Sequence, residues 1–294
     1  MSGKILVNEE VVPNVRHLVL EAPVIARRAK AGQFVMVIPD SVGERVPFTL
    51  SDWNLEEGTI TIFYLEAGVS TMKLARLNAG DSVHTVVGPL GRPTKIDRVG
   101  TVLLGGGCYG LGAIYPLARA FKEAENRVIA LLEARTSYIV YNEESLREVV
   151  DDLYVATADG SRGIKGHIPE ALPHILEKEG KIDHAHFVGC TYMMMISCNG
   201  TKPYEIPTIA SLNTLMVDGT GMCGVCRVEV GGLTKFACVD GPDFDGHQVN
   251  WDLVFARKSA YVVEENLAYQ FHKCRNDGAV FQASGTQPSE KEVA

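Results

Sequence analysis

Asp218, Cys223, Cys226 and Cys238 lie in the stretch DGTGMCGVCRVEVGGLTKFAC, in the pattern Asp-x4-Cys-x2-Cys-x11-Cys. A Cys-x4-Cys-x2-Cys…Cys arrangement holds a [2Fe–2S] cluster, because soft thiolate sulfur is the donor that cluster iron prefers. Here a carboxylate stands in the first position, an unusual but chemically sound ligand. Zinc is the competing metal, since Cys and Asp also bind it at tetrahedral sites. Asp218-Gly219 can equally be read as a turn dipeptide, and Asp240 and Cys274 are the spare candidates for the fourth place. An iron–sulfur cluster here would move single electrons, so the chain needs a source or sink for them.

A second constellation begins at Gly105, in GGGCYGLGAIYPLARAF. Gly106, Gly107, Gly110 and Gly112 fall between an apolar run and a helical pattern. There a glycine backbone can approach a pyrophosphate and a helix end offers free N–H groups. The alternative is a tight strand-to-helix turn with no ligand. Glu133 closes the next apolar run and could bond ribose hydroxyls; Arg135, two residues on, could pair with a 2′-phosphate. Both could also be solvated charges, and the choice between NAD(H) and NADP(H) stays open. Cys108 and Cys190 can be small core residues.

ERVPFTLSD, from Glu44, resembles the flavin motif of the ferredoxin-reductase-like superfamily, Arg-x-[Tyr/Pro-Phe]-[Ser/Thr] on a barrel strand. The resemblance implies FAD, with Arg45 paired to its phosphate and Pro47, Phe48 and Thr49 along the isoalloxazine ring. For a cysteine such as Cys108 or Cys190 it also implies a place near the nicotinamide. A second motif element follows at Tyr64, Leu65, Gly68, Ser70 and Thr71, where a short helix would hold pyrophosphate; Ser70 replaces the glycine of distant reductases. Gly88-Pro89-Leu90-Gly91 closes the barrel as the family pattern expects. Asp159-Gly160-Ser161 and the stretch from Val188 through Cys190 to Met194 look like two nucleotide-side loops of one subgroup. That subgroup contains the electron-transfer subunit of dihydroorotate dehydrogenase, sulfide dehydrogenase subunits and the small subunit of NADH-dependent ferredoxin:NADP oxidoreductase. The likeness runs from residue 4 to about residue 270. Asp218 in place of a fourth cysteine is more like the transhydrogenase and sulfide dehydrogenase branch. It implies a larger flavin and [4Fe–4S] partner resembling glutamate synthase small subunits, and electron bifurcation on that partner. The rival readings are a dihydroorotate dehydrogenase subunit and a redox-sensing binding module.

The elements that must position these residues follow from pattern. Residues 1–97 read as short strands rich in Val, Ile, Thr and Phe: Ile5–Val12, Val15–Glu21, Gln33–Ile38, Pro47–Ser51 and Thr59–Leu65, with one helix over Ser70–Leu77. In TITIFYLE the period-two alternation marks a half-buried strand, and the series predicts a closed barrel for FAD. Residues 98–210 alternate strand and helix, the signature of a parallel sheet covered on both faces. Residues 211–262 form a small irregular cluster domain, and 263–294 a helix followed by a polar, disordered tail.

A formal charge of −8 over 294 residues argues against nonspecific nucleic-acid binding. No run reaches the roughly 18 apolar residues of a membrane span, and the start lacks a signal-peptide profile. The expected location is therefore cytoplasmic, with no membrane partner. Seven cysteines in a reducing compartment favour ligands or core residues over disulfides.

Overall fold

The computed structural model describes residues 2–276, with side chains through residue 273. The predicted tail GTQPSEKEVA and the side chain of Cys274 lie outside the described residues.

The first part contains β1 (Gly3–Val12), β2 (Val15–Glu21), α1 (Pro23–Ala26), β3 (Phe34–Ile38), β4 (Val46–Thr49), β5 (Asp52–Asn54), β6 (Thr59–Leu65), α2 (Val69–Ala75), β7 (Ser82–Val83) and β8 (Thr85–Leu90). Alternation does what period two requires: Ile60, Ile62 and Tyr64 of β6 point into the core with Leu18 and Leu20 of β2. The expected barrel is built from two sections. The ladders form two antiparallel sheets, β5-β6-β2-β1-β7 and β4-β3-β8, around one core. The chain crosses between them at Leu50-Ser51. Leu50 N–H donates to Gln33 of one sheet (3.0 Å) and Ser51 N–H to Thr61 of the other (2.9 Å). Single bonds rather than a continuous ladder close that corner.

The second part contains β9 (Thr101–Gly107), α3 (Gly110–Glu123), β10 (Arg127–Ala134), α4 (Glu143–Val149), β11 (Asp152–Thr157), β12 (Ile164–Lys165), α5 (Ile168–Glu179), β13 (His184–Val188), α6 (Thr191–Thr201) and β14 (Thr208–Ser211). The strands lie parallel in the order β12-β11-β10-β9-β13-β14. Because successive side chains leave opposite faces, Val102, Leu104, Val128 and Ala130 meet α3 and α4, while Leu103, Ile129 and Leu131 meet α5 and α6. The strand order reverses beside β9, so a crevice opens at the carboxyl ends of β9 and β13.

The cysteine segment holds β15 (Arg227–Val230), β16 (Leu233–Phe236), α7 (Ala237–Asp240), β17 (Asp243–Asp245), α8 (Trp251–Lys258) and α9 (Val262–Asn276). It is not a separate bead. β17 extends the parallel sheet by pairing antiparallel to β14, and Cys226, Val228 and Cys238 share the core of that sheet. Among the described residues no helix is long and apolar enough to cross a membrane.

Candidate cofactor sites

A cavity of about 370 Å³ lies where β4 and β6 face the first turns of α3, the end of β13 and the chain after β14. Pro47, Phe48, Thr49, Tyr64 and Leu65 all stand on its wall, as expected, joined by Phe34 and Phe63. Tyr64 contributes only its ring, because its hydroxyl donates to Asn8 Oδ1 (3.0 Å) in the core; burial pushes that phenol well above its ordinary value. An apolar, aromatic hollow with few polar groups suits a flat heteroaromatic ring. The hydroxyl of Thr214 faces the same region buried and without a hydrogen-bond partner, so the wall holds an unmet polar atom a ring edge could satisfy.

Arg45 sits beside this cavity, half exposed, with its guanidinium 3.6 Å from Asp218 Oδ1. Thr71 Oγ1 accepts the N–H groups of Ala67 and Gly68 (both 3.0 Å), and Ser70 Oγ donates to Glu44 (3.0 Å). Those two N–H groups precede α2 and are satisfied locally by the Thr71 side chain, while the first N–H groups of α2 itself, from Val69, are the ones that would meet a pyrophosphate. Above Gly68, in contrast, a Cβ would meet nothing within 4 Å, which leaves the backbone open to close approach.

The glycines after β9 separate into two kinds. A Cβ on Gly110 would fall 2.0 Å from the carbonyl oxygen of Val188, and one on Gly112 would fall 2.2 Å from Phe63. Both are demanded by protein packing, Gly110 against the end of β13 and Gly112 against β6. Gly106 and Gly107 are crowded less severely, by Gly110 and Met193. Tyr109 follows them, its hydroxyl donating to Gly189 O (2.8 Å) and accepting from Asn213 Nδ2, so the loop is pinned to the start of α6. Burial drives the Tyr109 phenol upward in pKa. Cys108 is half-buried at φ +56°, and its thiol is raised by burial; Cys190 caps α6 and is exposed.

Glu133 is corrected. It is buried, its Oε1 lies 3.0 Å from His167 Nδ1 and its Oε2 accepts the N–H of Ile168 (2.9 Å). It caps α5, leaving no lone carboxylate for ribose. Arg135 is exposed at the end of β10, near enough to Cys108 to act on it electrostatically. Asp159 folds back on Ser161, accepting its N–H (2.9 Å) and hydroxyl (2.7 Å).

Cys226 and Cys238 are buried with their sulfurs 3.1 Å apart, and Cys223 is exposed on the same loop. Burial, then the neighbouring Cys226 sulfur, pushes the Cys238 thiol up to about 12. Positive φ angles at Gly219, Gly221 and Gly224 let the loop fold around the pair. Two adjacent buried sulfurs with a third on a glycine-rich loop fit a thiolate-bound group, since iron binding replaces protons that burial otherwise retains. The expected four-residue set is not drawn together: among the described residues no three His, Cys, Asp or Glu side chains form a preformed metal group. Asp218 is engaged by its own loop and by Arg45. Its Oδ2 accepts from Thr220 N (2.9 Å) and from the Thr220 hydroxyl, which holds its carboxyl below the usual range, while Oδ1 faces Arg45.

Sequence reasoning missed Tyr109, the wall from Leu212 to Met216, Lys258 and Glu265. Only Tyr109 carried a signal, as the large residue inside a glycine turn. The others reach the cavity through the path of the chain after β14.

Several known proteins are similar to this chain. Residues 213–250 match the iron-sulfur cluster binding domain of dihydroorotate dehydrogenase B. A Thermotoga maritima protein named dihydroorotate dehydrogenase B (NAD(+)), electron transfer subunit homolog, is 41% identical over 85% of this chain and 88% of its own length. The dihydroorotate dehydrogenase B (NAD(+)) electron transfer subunit of Bacillus cereus is 31% identical, over 82% of this chain and 95% of its own. A chain from the structure of NADH-dependent reduced ferredoxin-NADP oxidoreductase, described in connection with flavin-based electron bifurcation, superposes with a TM-score of 0.87. It is 39% identical and covers 91% of this chain and 96% of that one.

Proposed function

We propose that this chain, which belongs to the family of dihydroorotate dehydrogenase B electron-transfer subunits, carries electrons between a pyridine nucleotide and a larger partner through FAD and a [2Fe–2S] cluster. When bound, FAD supplies the conversion between two-electron hydride chemistry and one-electron transfer. The protein's own residues bind, orient and exclude water. Pro47, Phe48, Thr49, Tyr64 and Leu65 hold the ring in an apolar slot, and Arg45 supplies a cation for phosphate. Gly106, Gly107, Arg135, Asp159 and Cys190 border the nucleotide crevice at the carboxyl ends of the parallel strands. Cys223, Cys226 and Cys238 hold the cluster, with Asp218 as the fourth ligand once its carboxylate leaves Arg45.

One observation carries this reading. Val188 at the nucleotide crevice and Phe48 at the flavin motif border one cavity, and that cavity's far wall, Leu212–Met216, runs directly into the cysteine loop. Nucleotide, ring and cluster would thus lie in sequence along one short path.

The partner implied is a larger flavin and [4Fe–4S] subunit resembling glutamate synthase small subunits, the pair coupling NAD(H), NADP(H) and ferredoxin in the cytoplasm. The 0.87 superposition supports this branch, and Asp218 in place of a cysteine separates the chain from the four-cysteine dihydroorotate branch. Purification with the coexpressed neighbour is expected to yield FAD, iron and sulfide, and NADH-dependent dye reduction. A chain carrying zinc and no flavin overturns the reading; bound FAD without dye reduction favours a redox sensor instead.

A further inference from the structure

The wall of the flavin cavity formed by Leu212–Met216, Lys258 and Glu265 belongs to no motif in the sequence. It carries two features that ask for a ligand. Thr214 Oγ1 is buried and unpartnered, although a hydroxyl out of water is ordinarily bonded. Lys258, the last residue of α8, is the one cation lining the cavity among the described residues, and it also borders a small side hollow shared with Thr214 and Leu215. Lys258 is exposed at the cavity's rim with Cys190 and Glu265 as its electrostatic neighbours, and partial desolvation lowers its pKa from the ordinary lysine value.

Two-electron reduction of a flavin by hydride breaks the C4–H bond of the dihydronicotinamide and forms an N–H bond on the ring. The nucleotide leaves with one more positive charge, and the ring acquires one net negative charge, spread over its pyrimidine edge. A cation next to that edge binds the reduced ring more tightly than the oxidised one. A neutral hydroxyl distinguishes the two forms less, since it gains only the added strength of one charge-assisted hydrogen bond. We propose that Lys258 and Thr214 contact the flavin, Lys258 stabilising the reduced ring by its charge and Thr214 holding both redox forms by a hydrogen bond. This assignment rests on the functional reading above.

The test uses the full chain loaded with FAD, reduced in equilibrium with a reference dye of known potential. Lys258→Met is expected to shift the reduced-to-oxidised ratio about tenfold toward oxidised flavin, about 30 mV for a two-electron couple. Lys258→Arg is expected to restore most of the ratio. Thr214→Val is expected to weaken FAD binding in both redox states while moving the ratio less than Lys258→Met does. A wild-type ratio in Lys258→Met, or an Arg variant no better than Met, overturns the proposal. Should Lys258→Met lose FAD during purification, the affinities for added oxidised and reduced FAD give the same ratio directly. Failure of the unsubstituted chain to bind FAD sinks the functional reading itself, whereas retained FAD with an unmoved ratio sinks only the role of Lys258.

Discussion

A Cβ on Gly112 would lie 2.2 Å from Cδ2 of Phe63, so the first turn of α3 can rest on β6 only because residue 112 has no side chain. Phe63 cannot yield freely, since it stacks on His17 and tilts against Tyr141, each with ring centres 5.0 Å away. This contact seats the nucleotide part on the flavin part beside the cavity that both line. Gly112→Ala is expected to cost about 1–3 kcal/mol through overpacking. Thermal unfolding of the variant checks it, and Phe63→Leu in the same chain is expected to recover part of the loss.

Glu133 is bound on both oxygens, by His167 and by the N–H of Ile168 at the start of α5. Glu133→Gln is therefore expected to destabilise the fold by about 1–2 kcal/mol, the worth of a buried cap and its charge-assisted bond. Its affinity for NADH and NADPH should barely change. Urea unfolding and nucleotide titration separate the two effects; a large loss of nucleotide affinity with unchanged stability would return Glu133 to the ribose.

How far the sequence could be read depends on how local each feature is. Pro47-Phe48-Thr49 and Tyr64-Leu65 are contiguous motifs on single strands, so a few neighbouring residues suffice to name the cavity wall that they form. Strands Val15–Glu21 and Thr59–Leu65 likewise have the limits that alternation and turn residues set. Glu133 could not be read correctly, because its role is decided by His167 and Ile168, 34 and 35 residues on. The Arg45–Asp218 pair joins residues far apart in the chain, each with a motif-based assignment elsewhere. The crossing at Leu50-Ser51, which splits the barrel into two sheets, depends on bonds to Gln33 and Thr61 that no local pattern encodes.

Asp218 and Arg45 each have two claims upon them. If the carboxylate becomes the fourth cluster ligand, Asp218→Ala should alter or abolish the [2Fe–2S] EPR signal while FAD remains bound. Arg45→Gln should do the opposite, lowering FAD retention and sparing the signal. An unchanged EPR spectrum in Asp218→Ala removes this residue from the ligand set and leaves it as the partner of Arg45.

His184 gives the fold a sensitivity to acid. Burial, followed by the nearby His186, lowers its pKa from about 6.5 to about 4, with Asp243 acting in the opposite direction. Between those values the unfolded chain binds the proton and the folded one does not. The contribution is thus complete above pH 6.5 and is lost as the pH falls through 4, by at most about 3 kcal/mol. Asp243, part-buried and bonded among His186, Ser211 and Thr94, also has a lowered pKa and extends the loss below the usual carboxylate range. Denaturant unfolding at pH 7 and pH 4.5 should show the decline, and His184→Phe should flatten it between those two points.

The Cys226 and Cys238 sulfurs, 3.1 Å apart, are close enough to join with little movement once nothing holds them as separate ligands. Cys223, exposed on the loop, and Cys198, buried against Gly246, have no such neighbour in contact. Removal of iron by a chelator under air is therefore expected to cost the protein one thiol pair of its seven cysteines. The lost thiols should map to Cys226–Cys238 by peptide mass analysis. Thiol reductant followed by iron and sulfide should restore the cluster spectrum, because only the sulfur–sulfur bond has to be undone. Cys226→Ser and Cys238→Ser should each prevent both the oxidation and the reconstitution. If all seven thiols survive aerobic iron removal, the pair is not the reactive core of the site and the cluster assignment loses its geometric support.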